Sequence, residues 1–277
     1  MIKNILVPID GSVHASAALE AAIWLAAKFE AAIVGVHVVD IVALEGPFLH
    51  DLSASIGFEP SMNFSSKVKA ALEEKGIGLL EEVKERCKKA GVACSTVMAS
   101  GVVSTEICDK SNSADIVVMG RRGANENFDN SMLGAVTEAV VRKASKHVLV
   151  VPRSFTSPTS MLLAYDGSAS SSKALRAAAE CSATLSLPLT VISVAENPDT
   201  DSTLSEAEDY LKPYKVEVEF IQKSGDPHTE VEQYCKETEK DFLFIGTTHH
   251  GRIAEMVLGS TTEHLLRSLE GLVYIAR

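Results

Sequence analysis

Short apolar runs alternate along this chain with longer stretches in which apolar residues recur at helical spacing. Ile5–Ile9, Ile33–Val39, Cys94–Ala99, Ile116–Met119 and Val148–Val151 are runs rich in β-branched residues and bounded by turn-forming or polar residues, the pattern of strands buried on both faces. Ala18, Ala21, Ala22, Leu25 and Phe29 share one side of a helix that follows Asp10-Gly11-Ser12, a turn with a ready N-cap. Lys67–Ala90 reads as a charged amphipathic helix and Ser104–Asn112 as another, and Val136, Ala139, Val140 and Ala144 mark a further one after Gly134. Strand, helix and strand in this order imply right-handed βαβ units and a parallel sheet. Residues 41–66 break the pattern with Gly46-Pro47, Gly57, Pro60 and several serines. They are expected as an irregular excursion at the C-terminal end of the second strand, and a loop that long is often functional.

The pattern then repeats. From Asp10 to Asp40 the chain aligns with itself at a constant offset of 156, with Asp10/Asp166, Gly11/Gly167, Ser12/Ser168, Ala18/Ala174, Leu19/Leu175 and Val38/Val194 identical. At Gly120/Gly246 the offset has fallen to 126, so the second copy is 30 residues leaner. It carries one short acidic segment, SEAEDYL, where the first copy has both the excursion and the long helix. Val216–Gln222, Asp241–Ile245 and Leu272–Ile275 are its later strands, and Gly225-Asp226-Pro227 opens a helix. The unit is far longer than a solenoid repeat, so each copy is expected to be a domain with its own core: residues 1–153 and 161–277, joined by 154–160. The surrounding segment PRSFTSPTS is too short to let the halves roam.

Candidate chemistry concentrates at Asp115–Val150, which reads as strand, glycine-bearing loop, helix and strand. Its loop delivers the chain to a helix N-terminus, where unpaired backbone N–H groups and the positive end of the helix dipole favour an anion such as phosphate. Glycine there lets the backbone approach a ligand closely or take up positive φ, and a plain tight turn wants it equally. Asp10 and Asp166 suit a ligand contact or a helix cap, and Arg121 and Arg122 suit a phosphate clamp or a solvated loop. His249-His250 point in divergent directions with no Cys or paired carboxylate motif beside them, so no metal site is expected. There is no G-x-S-x-G elbow, no Walker loop and no nucleophile paired with a base, so catalytic residues are not assigned.

Composition narrows the partners. A net charge of −11 over 277 residues argues against a broad nucleic-acid or acidic-membrane surface, both of which need a basic footprint. No apolar run approaches the roughly 20 residues that cross a bilayer, and the start enters a strand rather than a signal segment. The five cysteines are scattered without a CxxC pair, as reduced thiols of a cytoplasmic protein would be.

The combination VPIDGS, HVVD and MGRRG…LGAVTEAVVRKASKHVLVVP, echoed in the second half, resembles the universal stress protein family over nearly the whole chain. The resemblance implies two α/β domains, similar to flavodoxin-like and adenine nucleotide α hydrolase-like folds, each a five-stranded mainly parallel sheet between helices. It also implies that the last strands of the halves meet in a pseudo-dimer, with a homodimer left open. ATP-binding members carry a Gly-x2-Gly-x9-Gly-Ser/Thr loop and an early Asp beside the nucleoside. Carried over, this gives Pro8, Ile9, Asp10 and Val38 with Met119, Gly120, Arg121, Gly123, Gly134, Ala135 and Val136 in the first half. In the second it gives Tyr165, Asp166, Val194, Ile245, Gly246, Thr247, Gly259, Ser260 and Thr261.

Each half departs from the pattern in its own way. The spacer from Gly123 to Gly134 holds ten residues, and Ala135 stands where a hydroxyl would donate to phosphate. In the second half Gly259-Ser260 and the overall spacing survive, but His249 replaces the middle glycine and Gly251 lies two further on. The expected function is a cytoplasmic stress-response module binding ATP, or AMP or ADP, with Mg²⁺. A non-nucleotide interaction scaffold with decayed pockets is the alternative, and a slow ATPase or nucleotidyl transferase a weaker one.

Overall fold

The computed structural model describes residues 1–40, 62–124, 133–195, 203–247 and 258–277. The first half runs β1 (Asn4–Pro8), α1 (Val13–Phe29), β2 (Ala32–Asp40), α2 (Met62–Lys89), β3 (Cys94–Gly101), α3 (Val103–Ser111), β4 (Ile116–Gly120), α4 (Ala135–Lys143) and β5 (His147–Val151). The second runs β6 (Met161–Ala164), α5 (Ala169–Leu185), β7 (Leu189–Val194), α6 (Thr203–Leu211), β8 (Val218–Lys223), α7 (Pro227–Glu237), β9 (Phe242–Gly246), α8 (Ser260–Ser268) and β10 (Leu272–Ala276).

All ten of these strands form one sheet in the order β3-β2-β1-β4-β5-β10-β9-β6-β7-β8. Every pairing is parallel except the central one, where Val150, Leu149 and Val148 lie opposite Val273, Tyr274 and Ile275 in antiparallel register. The repeat relates Leu149 to Tyr274, which are also partners in that register, so a pseudo-twofold passes through this pair. Joining the halves strand to strand covers two edges that would otherwise expose unpaired backbone groups.

Apolar side chains leave the strands alternately to two faces, as the pleat dictates. Ile5, Val7, Leu149, Phe244 and Tyr274 pack with α1, α2, α5 and α6. Leu6, Val117, Val148, Leu243 and Ile275 pack with α3, α4, α7 and α8. The expected alanine-rich face of α1 is buried from Ala15 to Ala26, which lets the helix lie close to the strands.

Two local expectations are corrected, and one segment that had no assigned element gains one. The charged helix begins at Met62 rather than Lys67, so the irregular stretch is shorter than 41–66, and residues 41–61 fall outside the described residues. The acidic SEAEDYL segment is helical and buries Ala207 and Leu211; it takes the chain position of α2 with a third of its length. On α4 the buried positions are Thr137, Val140 and Val141, while Val136 is exposed. Thr137 can be buried there because its hydroxyl has a backbone partner, described next.

Candidate functional site

Two clefts open at equivalent places, at the C-terminal ends of β1 and β4 in one half and of β6 and β9 in the other. Chain order reverses at these points of each sheet, from β1-β2-β3 outward to β4-β5 on the other side, and open α/β sheets hold ligands at such switch points. The first cleft encloses about 520 Å³ and the second about 470 Å³, within the usual range for small-molecule sites.

The frame of each cleft is built by the same local devices. Gly11 and Gly167 turn the chain with φ of 84° and 74°, a conformation that disfavours a side chain. Ser12 and Ser168 then cap α1 and α5, accepting from Ala15 N and Ser171 N. The strand-end glycines serve close approach instead of positive φ. A Cβ on Gly120 would lie 2.7 Å from the carbonyl carbon of His14, and one on Gly246 would lie 2.4 Å from that of Ser170. Thr137 and Thr262 donate to the carbonyls of Gly120 and Gly246, at 2.9 and 3.1 Å. Gly134 and Gly259 precede α4 and α8 with no side-chain cap, which leaves the first N–H groups of both helices to be satisfied from the cleft.

Of the residues carried over from the resemblance, Pro8, Ile9, Asp10, Val38, Met119, Gly120, Gly123, Gly134, Ala135 and Val136 line the first cleft. Tyr165, Asp166, Val194, Ile245, Gly246, Gly259, Ser260 and Thr261 line the second. Arg121 and Thr247 line neither. Arg121 N donates to Val151 O at 2.8 Å, extending the ladder beyond β4, and its guanidinium crosses the seam to the carbonyl of Gly271 at 3.5 Å. Burial pulls that guanidinium down to about 10, against the pull of Glu270, and it remains charged at neutral pH. Thr247 donates to Ala276 O at 3.3 Å. Both positions therefore belong to the seam. His249, His250 and Gly251, on which the departure in the second half turns, fall outside the described residues.

The linings differ in chemistry. Asp10 accepts from Ser12 N and from Ala124 N, each at 2.9 Å, so its carboxylate ties the β1 turn to the loop after β4. Asp166 accepts from Ser168 N at 3.0 Å. Burial raises its pKa, but hydrogen bonds from Ser168 and Ser171 outweigh this and hold the carboxyl below its ordinary value. The first cleft adds Asp40 and Arg122. The second is rimmed by hydroxyls, with Ser168, Ser170 and Ser171 facing Ser260, Thr261 and Thr262. Arg122 was expected as a phosphate clamp or a solvated loop residue, whereas Asp40, Ser170, Ser171 and Thr262 were not singled out from the sequence. The pair Thr137/Thr262 was available to the repeat alignment, at the same offset as Gly134/Gly259, and the run Ser170-Ser171-Ser172 stood beside Asp166.

The universal stress protein family model matches residues 1–152 and 200–277. The chain belongs to the universal stress protein family. Over 96% of its length, and 96% of the relative's, it is 33% identical to the universal stress protein Slr1230 of Synechocystis sp., which makes the tandem arrangement a property the two share. The universal stress protein MJ0531 of Methanocaldococcus jannaschii is 32% identical across 55% of this chain and 84% of its own length. A crystal structure of a universal stress protein from Archaeoglobus fulgidus DSM 4304 superposes with a TM-score of 0.80 at 23% identity, covering 99% of this chain and 98% of that one. At that identity the likeness speaks to the fold. As in that structure the fold spans the whole chain, and among the described residues no helix is long and apolar enough to cross a membrane.

Proposed function

We propose that this universal stress protein is a cytoplasmic regulatory module that binds an adenine nucleotide, ATP with Mg²⁺, in at least one of its two domains, 1–153 and 161–277. The observation that carries the reading is the pairing, in each cleft, of a strand-end aspartate with an uncapped helix N-terminus across an apolar floor. An apolar floor of Val38, Ile107 and Met119, or of Val194, Val231 and Ile245, suits a purine. Asp10 or Asp166 would accept from the nucleoside, and the first N–H groups of α4 or α8 would meet phosphate oxygens. The second cleft adds the Ser260 hydroxyl at the first position of α8, where the first has Ala135. The nucleotide would bring its own charge and the cation; the chain supplies shape, donors and an apolar wall.

The test is calorimetric titration of the purified chain, stripped of carried-over ligand, with MgATP and separately with AMP. The expected result is binding at one or two sites per chain, with Gly259→Val removing the site of the second half while the melting temperature holds. Absence of heat at several temperatures, together with no thermal stabilisation, overturns the proposal in favour of the scaffold reading, whose asset is the continuous central sheet.

A further inference from the structure

The pseudo-twofold makes two equivalent grooves along the seam, each between the start of one central strand and the helix that follows the first strand of the opposite half. They have come to differ. On the α1 side, Trp24 packs against Phe155 of the segment between β5 and β6, with tilted rings whose centroids are 5.7 Å apart, so the connection covers this side of the seam. On the α5 side the equivalent groove is an open cavity of about 470 Å³. Helices α1 and α5 correspond residue for residue, which sets Lys173, Arg176 and Glu180 of α5 where α1 has Ala17, Glu20 and Trp24.

Three side-chain cations border this cavity, Lys146 before β5 and Lys173 and Arg176 on α5; Arg277 lines it with its backbone, while its guanidinium interacts with Cys108 on the opposite face of the sheet. Lys173 and Arg176 are three residues apart and share a helix face. The cavity also holds two carboxylates, and both are engaged. Asp115 Oδ2 accepts from the backbone N–H groups of Lys3 and Asn4 at 2.7 and 2.8 Å. Glu180 pairs with the Met1 ammonium at 2.8 Å. Among the described residues no ion pair engages Lys146, Lys173 or Arg176. The floor is well ordered by contact: His147 Nδ1 accepts from Arg277 N at 3.0 Å, and its ring packs on Tyr274 at 5.4 Å. In a chain of net charge −11, a lined cavity with surplus positive charge is a local reversal of the field that would otherwise repel anions.

We infer that this seam cavity is a binding site for a small multivalent oxyanion of the oligophosphate class, separate from the two clefts. A monovalent ion would answer one or two of these cations, whereas a chain of phosphates can meet Lys146, Lys173 and Arg176 together, the Arg176 guanidinium being suited to paired hydrogen bonds. The enclosed volume fits a small molecule and excludes a folded partner. Because the cavity touches α5 and both central strands, its ligand bridges the two halves.

The experiment titrates inorganic tripolyphosphate, without Mg²⁺, into the full chain and follows heat and thermal stabilisation. Lys173 and Arg176 are exposed, so Lys173→Glu/Arg176→Glu should fold, and the expected result is a loss of affinity of at least tenfold; Lys146→Glu acts in the same direction. Ala135→Glu/Ser260→Glu places negative charge at both cleft helices, where the helix dipole tolerates it, and should leave tripolyphosphate binding unchanged while it repels nucleotide. Binding should also weaken as salt rises. No binding to the native chain at millimolar tripolyphosphate overturns the inference, as does affinity that survives in Lys173→Glu/Arg176→Glu or disappears in Ala135→Glu/Ser260→Glu. Nucleotide titrations of Lys173→Glu/Arg176→Glu report on the clefts alone, so the two proposals fail separately.

Discussion

In the first cleft Asp10 bridges two loops by accepting from Ser12 N and Ala124 N, and the helix that follows the second of these loops begins with Ala135. In the second, Asp166 is held among serines, and the corresponding helix begins with Ser260. The backbone frame is common to both, down to the threonines that bind the strand-end carbonyls. What varies is the set of donors that a ligand meets. Duplication thus left the fold-determining positions paired and let the cleft-facing positions drift, because a glycine whose Cβ would strike backbone has no substitute, whereas a rim hydroxyl can be lost at a modest cost in affinity.

The largest expected effect tests the common frame. Gly120→Val and Gly246→Val should each destabilise the chain by about 2 kcal/mol or more, since the added carbon would overlap a helix backbone that cannot step aside. Urea unfolding at constant m-value measures this, and a cost below about 0.5 kcal/mol in either half would show that the close approach is not the constraint. Next comes the difference in lining. Ser260→Ala should weaken nucleotide binding to the second cleft by roughly tenfold to a hundredfold, the worth of a hydrogen bond to a charged group. Ala135→Ser should strengthen the first by a similar factor. Equal affinities before and after both changes would remove the hydroxyl as the distinguishing feature.

Smaller effects are expected at the seam and at Asp166. Arg142 and Arg267 pair with Glu138 and Glu263 within and across the halves, as a ring of four on α4 and α8. All four are at least partly solvated, so Arg142→Ala/Arg267→Ala should cost no more than about 1 kcal/mol. A double-mutant cycle should find the two changes non-additive, since they share partners. Asp166 tests sign rather than size. Its folded pKa lies below the unsupported value of 3.8, so the stabilisation it provides is complete above that value and is lost as pH falls through the folded pKa. The stability gap between the native chain and Asp166→Asn should therefore narrow on acidification below about pH 3.8; a gap independent of pH in thermal melts would contradict the depressed pKa.

Much of the fold was legible because period and punctuation are local. Strand runs, the Ser12 and Ser168 caps and the repeat offset needed only neighbouring residues, and the strands fall within one or two positions of their expected limits. The start of α2 was misplaced because the five residues before Lys67, Met-Asn-Phe-Ser-Ser, lack the charge that made the rest of the helix conspicuous. Arg121 and Thr247 were assigned to the clefts because they adjoin Gly120 and Gly246 in sequence. Adjacency does not fix the side of the strand end to which a side chain turns, and both turn to the seam.

By itself, then, the sequence determined two α/β units, their parallel sheets, and the glycines and aspartates that frame each cleft, since these follow from hydrophobic period, turn chemistry and the internal repeat. Only the tertiary structure decided which residues line each cleft, that the halves share one continuous sheet through Val148–Val150 and Val273–Ile275, and that Phe155 packs on Trp24 at one side of the seam while a cavity bordered by cations opens at the other. Lys146 and the pair Lys173 and Arg176 belong to different halves of the chain. Their meeting depends on strand order and on the antiparallel joint, which no local pattern encodes.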